Sequence, residues 1–268
     1  VTAIPAPFGD QPAPALRVDA WPGDAPAHGF FGRHGGFSGG ELGSLNLSER
    51  VGDRPWTVGA NWTRVRLALP GLEPVRMQQV HGVHVVRVGS PSQRVGDADA
   101  MLTTEPGVGL VVLTADCVSV LAYAPGYGAV LAAHAGWKGS LAGVTVAALE
   151  MARSELAIPP AAWRVALGPA IGGCCYEVEA EIGQRFVDRW GDMADAWQAA
   201  GSHGRLDLRK ANRAILVSAG VDPTAIVEVG PCTSCAAGDY FSHRHSAGLA
   251  GRQASIIGLL AGASESPV

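Results

Sequence analysis

His81, Cys117 and His134 each stand in a short segment of low degeneracy: Gln-Gln-Val-His-Gly, Thr-Ala-Asp-Cys and Ala-His-Ala-Gly-Trp-Lys-Gly. Two imidazoles and a thiolate suit Zn²⁺, which prefers tetrahedral nitrogen and sulfur ligands; catalytic zinc sites keep three protein ligands and leave the fourth place to water or substrate. If the three converge, the chain is an enzyme. The long spacing does not decide this, because structural zinc modules use tighter pairs. Cys117 and His134 each close an apolar run that reads as a strand, and strand ends aim side chains at a common point. The alternative is a buried free cysteine and two unrelated histidines satisfied in the core.

Further groups stand close by. Asp116 precedes the candidate thiolate; it can orient a ligand, accept from a ribose hydroxyl, or cap a turn. Asp97 and Asp99 share a side if the segment is extended, as paired acid-base groups require, or else they belong to a turn and the capped start of a helix. His84 reads as structural. Trp137 and Phe30 can stack on a purine or serve the core. A second metal pattern pairs Pro231-Cys232-Thr233-Ser234-Cys235 with Cys175-Tyr176-Glu177, a variant of the zinc deaminase signature in which Glu177 would move protons. The helices expected between its halves argue against that pattern, and an isolated surface cysteine pair is the competing reading.

The elements that must position these groups follow from periodicity. Val58, Trp62, Val65, Leu67 and Leu69 predict a helix ended by Pro70-Gly71. Residues 75–80 and 83–88 alternate as strands around His81-Gly82. The apolar runs 108–113, 118–124 and 128–133 are separated by hairpin-sized gaps, which favours antiparallel pairing. Ser140 is expected to cap a helix to Leu156; strands over 163–167 and 225–229, helices near 177–190 and 207–219 and an apolar segment at 254–260 complete the reading. Strands and helices come in blocks, so the expected fold is a single-domain α+β protein with mixed, largely antiparallel sheets sandwiched by helices. Residues 1–27 read as an N-terminal arm or edge strand of the domain formed by 28–268, and the Gly- and Ser-rich stretch 28–47 suits a loop passing close to a ligand.

Composition narrows the function. With 47% hydrophobic and 16% charged residues, the chain of 268 residues is compact rather than disordered. A net charge of −4 without a basic cluster argues against nucleic acid, and no apolar run approaches a membrane span. The N-terminus lacks the pattern of a signal peptide and the five cysteines are an odd number, so the expected setting is the cytoplasm with reduced thiols.

In sequence order, Arg33-His34-Gly35-Gly36, Ser44-Leu45-Asn46-Leu47, Gln79-Val80-His81-Gly82, Asp97-Ala98-Asp99-Ala100-Met101, Thr114-Ala115-Asp116-Cys117, His134-Ala135-Gly136-Trp137-Lys138-Gly139, Leu167-Gly168-Pro169-Ala170-Ile171-Gly172 and Phe241-Ser242-His243-Arg244 resemble the laccase-domain family, also labelled multicopper polyphenol oxidase. The resemblance implies helices around mixed sheets and one zinc held by the residues matching His81, Cys117 and His134. It also implies phosphorolysis of adenosine, inosine, guanosine and methylthioadenosine, with deamination of adenosine. Some members are described as peptidoglycan-editing factors, which points instead to a cysteine hydrolase acting on a cell-wall precursor.

Chemistry weighs these labels. A multicopper oxidase needs further copper ions held mainly by imidazoles, yet the chain has only eight histidines, so Cu²⁺ is expected to bind adventitiously and Zn²⁺ to be the cofactor. Phosphorolysis needs phosphate aimed at the anomeric carbon, and arginine suits phosphate recognition. The expected partners are purine nucleosides and phosphate. Cys117, His81, His134 and Asp116 are the expected catalytic residues, and Arg33, Asn46, Arg64, Lys138 and Arg244 the expected substrate contacts, with surface charge as the other reading of the basic ones.

Overall fold

The computed structural model describes residues 11–23 and 25–261. In chain order the strands and helices are β1 (Ala15–Leu16), β2 (Ala27–Phe31), α1 (Pro55–Ala68), β3 (Glu73–Arg76), β4 (Val85–Arg87), β5 (Ala100–Thr103), β6 (Val108–Thr114), β7 (Val118–Ala124), β8 (Ala129–Ala135), α2 (Trp137–Ala142), α3 (Val144–Leu156), β9 (Arg164–Leu167), β10 (Glu177–Glu179), α4 (Ala180–Trp190), β11 (Trp197–Ala200), β12 (His203–Leu206), α5 (Leu208–Ser218), β13 (Ile226–Glu228) and β14 (Gln253–Gly258). They form a five-stranded sheet, β1-β2-β14-β6-β3, a six-stranded sheet, β13-β9-β7-β8-β5-β4, and a small sheet, β10-β12-β11. Pairing is antiparallel except for β3 with β6, β4 with β5 and β9 with β13. This is the expected mixed, largely antiparallel α+β domain.

Side-chain alternation explains the layering. Along β7, Val118, Val120 and Ala122 face the helices, whereas Leu121 and Tyr123 face the other large sheet. Along β6, Leu110 and Val112 point between the sheets while Val111 packs under α1. A strand covered on both faces has no polar side, so these segments read as unbroken apolar runs. The result is α1, then the five-stranded sheet, then the six-stranded sheet, then α2, α3 and α5, with an apolar core in each gap.

Several expectations are corrected. The runs at β6 and β7 do not pair with each other: β6 joins the five-stranded sheet and β7 the six-stranded one, so Ala115-Asp116-Cys117 crosses between layers. Only β7 and β8 form the expected hairpin. The strands flanking His81 are shorter than expected and also lie in different sheets. Ser140 does not cap α3: the chain breaks at Gly143, in the left-handed region at φ 90°, and the Ser140 hydroxyl instead accepts from Asn212 Nδ2 at 2.8 Å. Leu67 is 45% exposed, on the solvent side of α1. The expected arm falls partly on residues 1–10, outside the described residues; Ala15–Leu16 lies at the edge of the five-stranded sheet.

Candidate metal centre and cleft

All three expected ligands lie where the chain passes between the large sheets. His81 sits in the loop from β3 to β4, Cys117 just ahead of β7, and His134 near the end of β8, on the alternation that Val130 and Ala132 direct into the inter-sheet gap. Their ligand atoms lie within 4.8 Å of one another. The Cys117 Sγ to His81 Nε2 distance is 3.9 Å and the two imidazoles meet edge to face, with centroids 4.7 Å apart. Metal–ligand bonds of about 2.0–2.3 Å in a tetrahedron place donor atoms roughly 3.3–3.8 Å apart, so small adjustments close the set around one ion.

Asp99 builds this centre. Its fully buried carboxylate accepts from His134 Nδ1 at 2.8 Å and from the amides of Val80, His81 and Gly82 at 3.2, 3.0 and 2.7 Å. Those amides converge because the chain turns at His81, whose φ is 62°. One carboxylate thus fixes the His81 loop and directs His134 Nε2 toward the other ligands. Asp97 lies on the exposed side, where only its carbonyl meets His84 Nδ1, so the two aspartates do not form an acid-base pair.

Gly136 leaves room for the ligands. A Cβ there would lie 2.8 Å from His81 Cδ2 and 3.0 Å from Cys117 Sγ. Burial pushes the Cys117 thiol up, but hydrogen bonds from His134 and His81 outweigh it and hold the thiol at about 6. Burial likewise opposes the charge on His134, yet Asp99 and Cys117 raise it to about 9. A thiolate facing imidazoles, above a glycine cradle, fits a thiophilic divalent ion.

The centre opens on a cleft of about 810 Å³ whose wall includes His81, Cys117 and His134. Arg50, Arg76, Arg94, Arg252 and His243 also line it. Periodicity and motif reading missed these arginines because they belong to no chemically suggestive cluster in the sequence. The five expected substrate contacts do not line this cleft. Arg33 donates to the carbonyls of Gly43 and Ala237, and Asn46 spends its amide on Ser48, Asp53 and Arg252. Arg64 donates to Gln11 O and Lys138 stacks on Trp137. Arg244 covers Tyr176 and bonds the Glu177 carbonyl. Phe30 is buried in the core between the large sheets, and Trp137 packs against the separate core beneath the helices.

Asp116, with φ 90°, turns its carboxylate to Thr233 Oγ1 at 2.7 Å and to the Arg244 amide at 2.6 Å. It ties the segments around 233 and 244 to the crossing that carries Cys117. The Cys232/Cys235 pair is not isolated, for it meets Cys174 and Cys175.

Known proteins resemble this chain in sequence and fold. The family described as multi-copper polyphenol oxidoreductase laccase matches residues 27–260. Purine nucleoside phosphorylase YlmD of Geobacillus stearothermophilus is 35% identical, over 91% of this chain and 93% of that protein. Purine nucleoside phosphorylase of Deinococcus radiodurans is 36% identical, over 92% and 94%. The crystal structure of Bacillus licheniformis YfiH superposes with a TM-score of 0.82 at 31% identity, covering 87% of this chain and 92% of that one. With the motifs in order, the layers in common and the match spanning nearly the whole length, the chain belongs to the laccase-like multi-copper polyphenol oxidoreductase family.

Proposed function

We propose that the protein is a zinc-dependent purine nucleoside phosphorylase acting on adenosine, inosine, guanosine and methylthioadenosine, with adenosine deamination as a side activity. The observation that carries this reading is the convergence of two imidazoles and a thiol on the wall of an arginine-lined cleft. Relatives named purine nucleoside phosphorylase, matched over nearly their whole length, support the same reading.

A volume of about 810 Å³ is within the range of small-molecule sites and accommodates a nucleoside beside phosphate. Arg94 brings a planar guanidinium to the cleft suited to phosphate oxygens, and Arg50, Arg76 and Arg252 add positive charge beside it while also bonding Gln78, stacking on Trp62 and donating to the carbonyls of Ala250 and Gly251. Apolar side chains of the lining, among them Val51, Pro74 and Val95, would meet the base. In phosphorolysis a phosphate oxygen bonds to the anomeric carbon as the bond to the purine nitrogen breaks; the base leaves with that electron pair and takes the proton of hydrogenphosphate. His81, Cys117 and His134 would hold the zinc, which would supply a redox-silent Lewis acid at the cleft wall. Asp116 holds the crossing that carries Cys117 against the 233 and 244 segments.

Zinc is preferred to copper because the described residues contain two groups suited to a metal, this one and a four-cysteine cluster, and neither supplies the imidazole-rich second site of a multicopper oxidase. A second reading has one observation in its favour: without metal, Cys117 at about 6 and His134 at about 9 form a thiolate–imidazolium pair of the kind that serves cysteine hydrolases. Chelation separates them, since it removes activity in the first reading and preserves it in the second.

The deciding experiment incubates purified protein with adenosine, with and without phosphate, and separates adenine, inosine and hypoxanthine by chromatography. Adenine forming only with phosphate, and lost in Cys117→Ala, is the expected result. Inosine alone, or a rate unchanged by the substitution, overturns phosphorolysis at this centre.

A further inference from the structure

Cys174, Cys175, Cys232 and Cys235 bring four sulfur atoms within 4.8 Å of one another on the side of the molecule formed by the turn before β10 and the 231–235 segment. Cys235 Sγ lies 3.3 Å from Cys175 Sγ and 3.6 Å from Cys174 Sγ. Four thiolates bonded to one zinc at about 2.3 Å stand roughly 3.8 Å apart, so the spacing is that of a tetrahedron's edges. We propose that these four cysteines form a second, structural metal site that takes a thiophilic divalent cation, zinc above all.

Two observations separate this from a disulfide. All four thiols are free, and Cys235 contacts both Cys174 and Cys175 while Cys174 also contacts Cys232, so the sulfurs meet as one four-membered cluster rather than as two separate pairs. Cys232, buried at 9% exposure, receives the Gly172 amide at 3.2 Å and also the amides of Ser234 and Cys235. Several N–H groups aimed at one sulfur stabilise a thiolate, the form a metal requires. The site also differs from a deaminase centre. Cys175, Cys232 and Cys235 match that pattern, but Cys174 fills the position a catalytic water would need.

The ion would clamp the 172–175 turn to the 232–235 segment across more than fifty residues of sequence. Thr233, between two of the ligands, is the residue that bonds Asp116 beside Cys117. The second site therefore braces the wall of the first without entering the cleft. Closing so long a loop is where a metal cross-link contributes most to folding.

The test is metal content per chain, measured after loading with zinc under reducing conditions and desalting. Wild-type protein is expected to hold about two zinc ions, and Cys117→Ala and Cys232→Ser/Cys235→Ser about one each. Because the pair variant is expected to lose a different ion from Cys117→Ala, the result is independent of whether the cleft is catalytic. Should the pair variant fail to fold, wild-type protein and the exposed-site variant Cys174→Ser serve instead. Zinc is expected to protect all four cysteines of the wild type from alkylation, mapped by mass spectrometry, and cobalt loaded into Cys174→Ser is expected to lose about a quarter of the cluster's thiolate charge-transfer intensity. Equal metal content in wild-type and pair-variant protein, alkylation of the four thiols unaffected by zinc, or a disulfide among them in reduced, metal-loaded protein overturns the proposal.

Discussion

Asp99 Oδ1 lies 2.8 Å from His134 Nδ1, with the two side chains 0% and 3% exposed. The same carboxylate accepts the amides of the His81 turn, so one buried charge orients two of the three candidate metal ligands. Asp99→Asn keeps the shape but removes the charge and turns one oxygen into a donor facing amides. Second-layer changes of this kind cost about 10–100-fold in metal affinity. Asp99→Ala is expected to cost about 3–5 kcal/mol of stability, since it strips a buried network of its acceptor. Zinc competition titration and denaturant unfolding check both. Unchanged zinc affinity in Asp99→Asn would remove Asp99 from the centre.

Gly136 supplies a test by addition. In Gly136→Ala the new methyl meets His81 Cδ2 and Cys117 Sγ at 2.8 and 3.0 Å, so one ligand must move. The expected outcome is at least about tenfold weaker zinc binding with overpacking of about 1–3 kcal/mol. The readouts are metal content after dialysis and the urea midpoint. A fully loaded variant would place the ligands elsewhere.

What the sequence made legible, and what it hid, follows from the same geometry. Each long strand announced itself as an apolar run, and Trp62 and Val65 marked the buried face of α1. The partition into sheets was hidden, because the three residues Ala115-Asp116-Cys117 are as short as a hairpin turn and yet cross between layers. His81, Cys117 and His134 were legible by residue type. Asp99 was marked only as half of a possible acid-base pair or as part of a turn, and its true role was hidden because it works largely through backbone amides that no residue type reveals. The arginines of the cleft come from separate segments and meet only through the fold.

Thr233 and Asp116 connect the four-cysteine cluster to the candidate metal centre through one hydrogen bond of 2.7 Å. Thr233→Val keeps the volume and leaves Asp116 Oδ1 without this donor, at a cost of about 1–3 kcal/mol. Turnover is expected to fall as well, because Asp116 holds the segment ahead of Cys117. Thermal unfolding and kcat on the same preparations measure the two effects; a wild-type unfolding temperature contradicts the clamp.

Asp53 sets an acid limit on the loop that follows β2. Burial pushes its carboxyl up, but hydrogen bonds from Asn46, Ser38 and the Arg54 amide hold it below the ordinary carboxylate range. A folded value lower than the unfolded one means the unfolded chain takes up a proton first as pH falls. Its contribution is therefore complete above the unfolded value of about 4 and fades as pH drops through the folded value. The wild-type advantage over Asp53→Asn is expected to be full at pH 6–7 and to vanish in strong acid. Unfolding temperatures measured across that range test the sign.

Arg94 and Asn46 make opposite predictions from their surroundings. Arg94 lines the cleft, and losing one phosphate contact there is expected to raise KM for phosphate about tenfold, equivalent to about 1.4 kcal/mol, with the nucleoside KM little changed. Asn46 is fully buried, its amide donating to Ser48 O and Asp53 Oδ2 and accepting from the Ser48 and Arg252 amides. Asn46→Ala leaves these partners unsatisfied inside the protein and is expected to cost about 2–4 kcal/mol while leaving the phosphate KM of the surviving folded enzyme near wild type. Initial rates over a phosphate series, run beside thermal unfolding, separate a contact from a support. A phosphate KM raised by Asn46→Ala and untouched by Arg94→Ala would reverse the assignment and move the anion to the opposite side of the 46–53 loop.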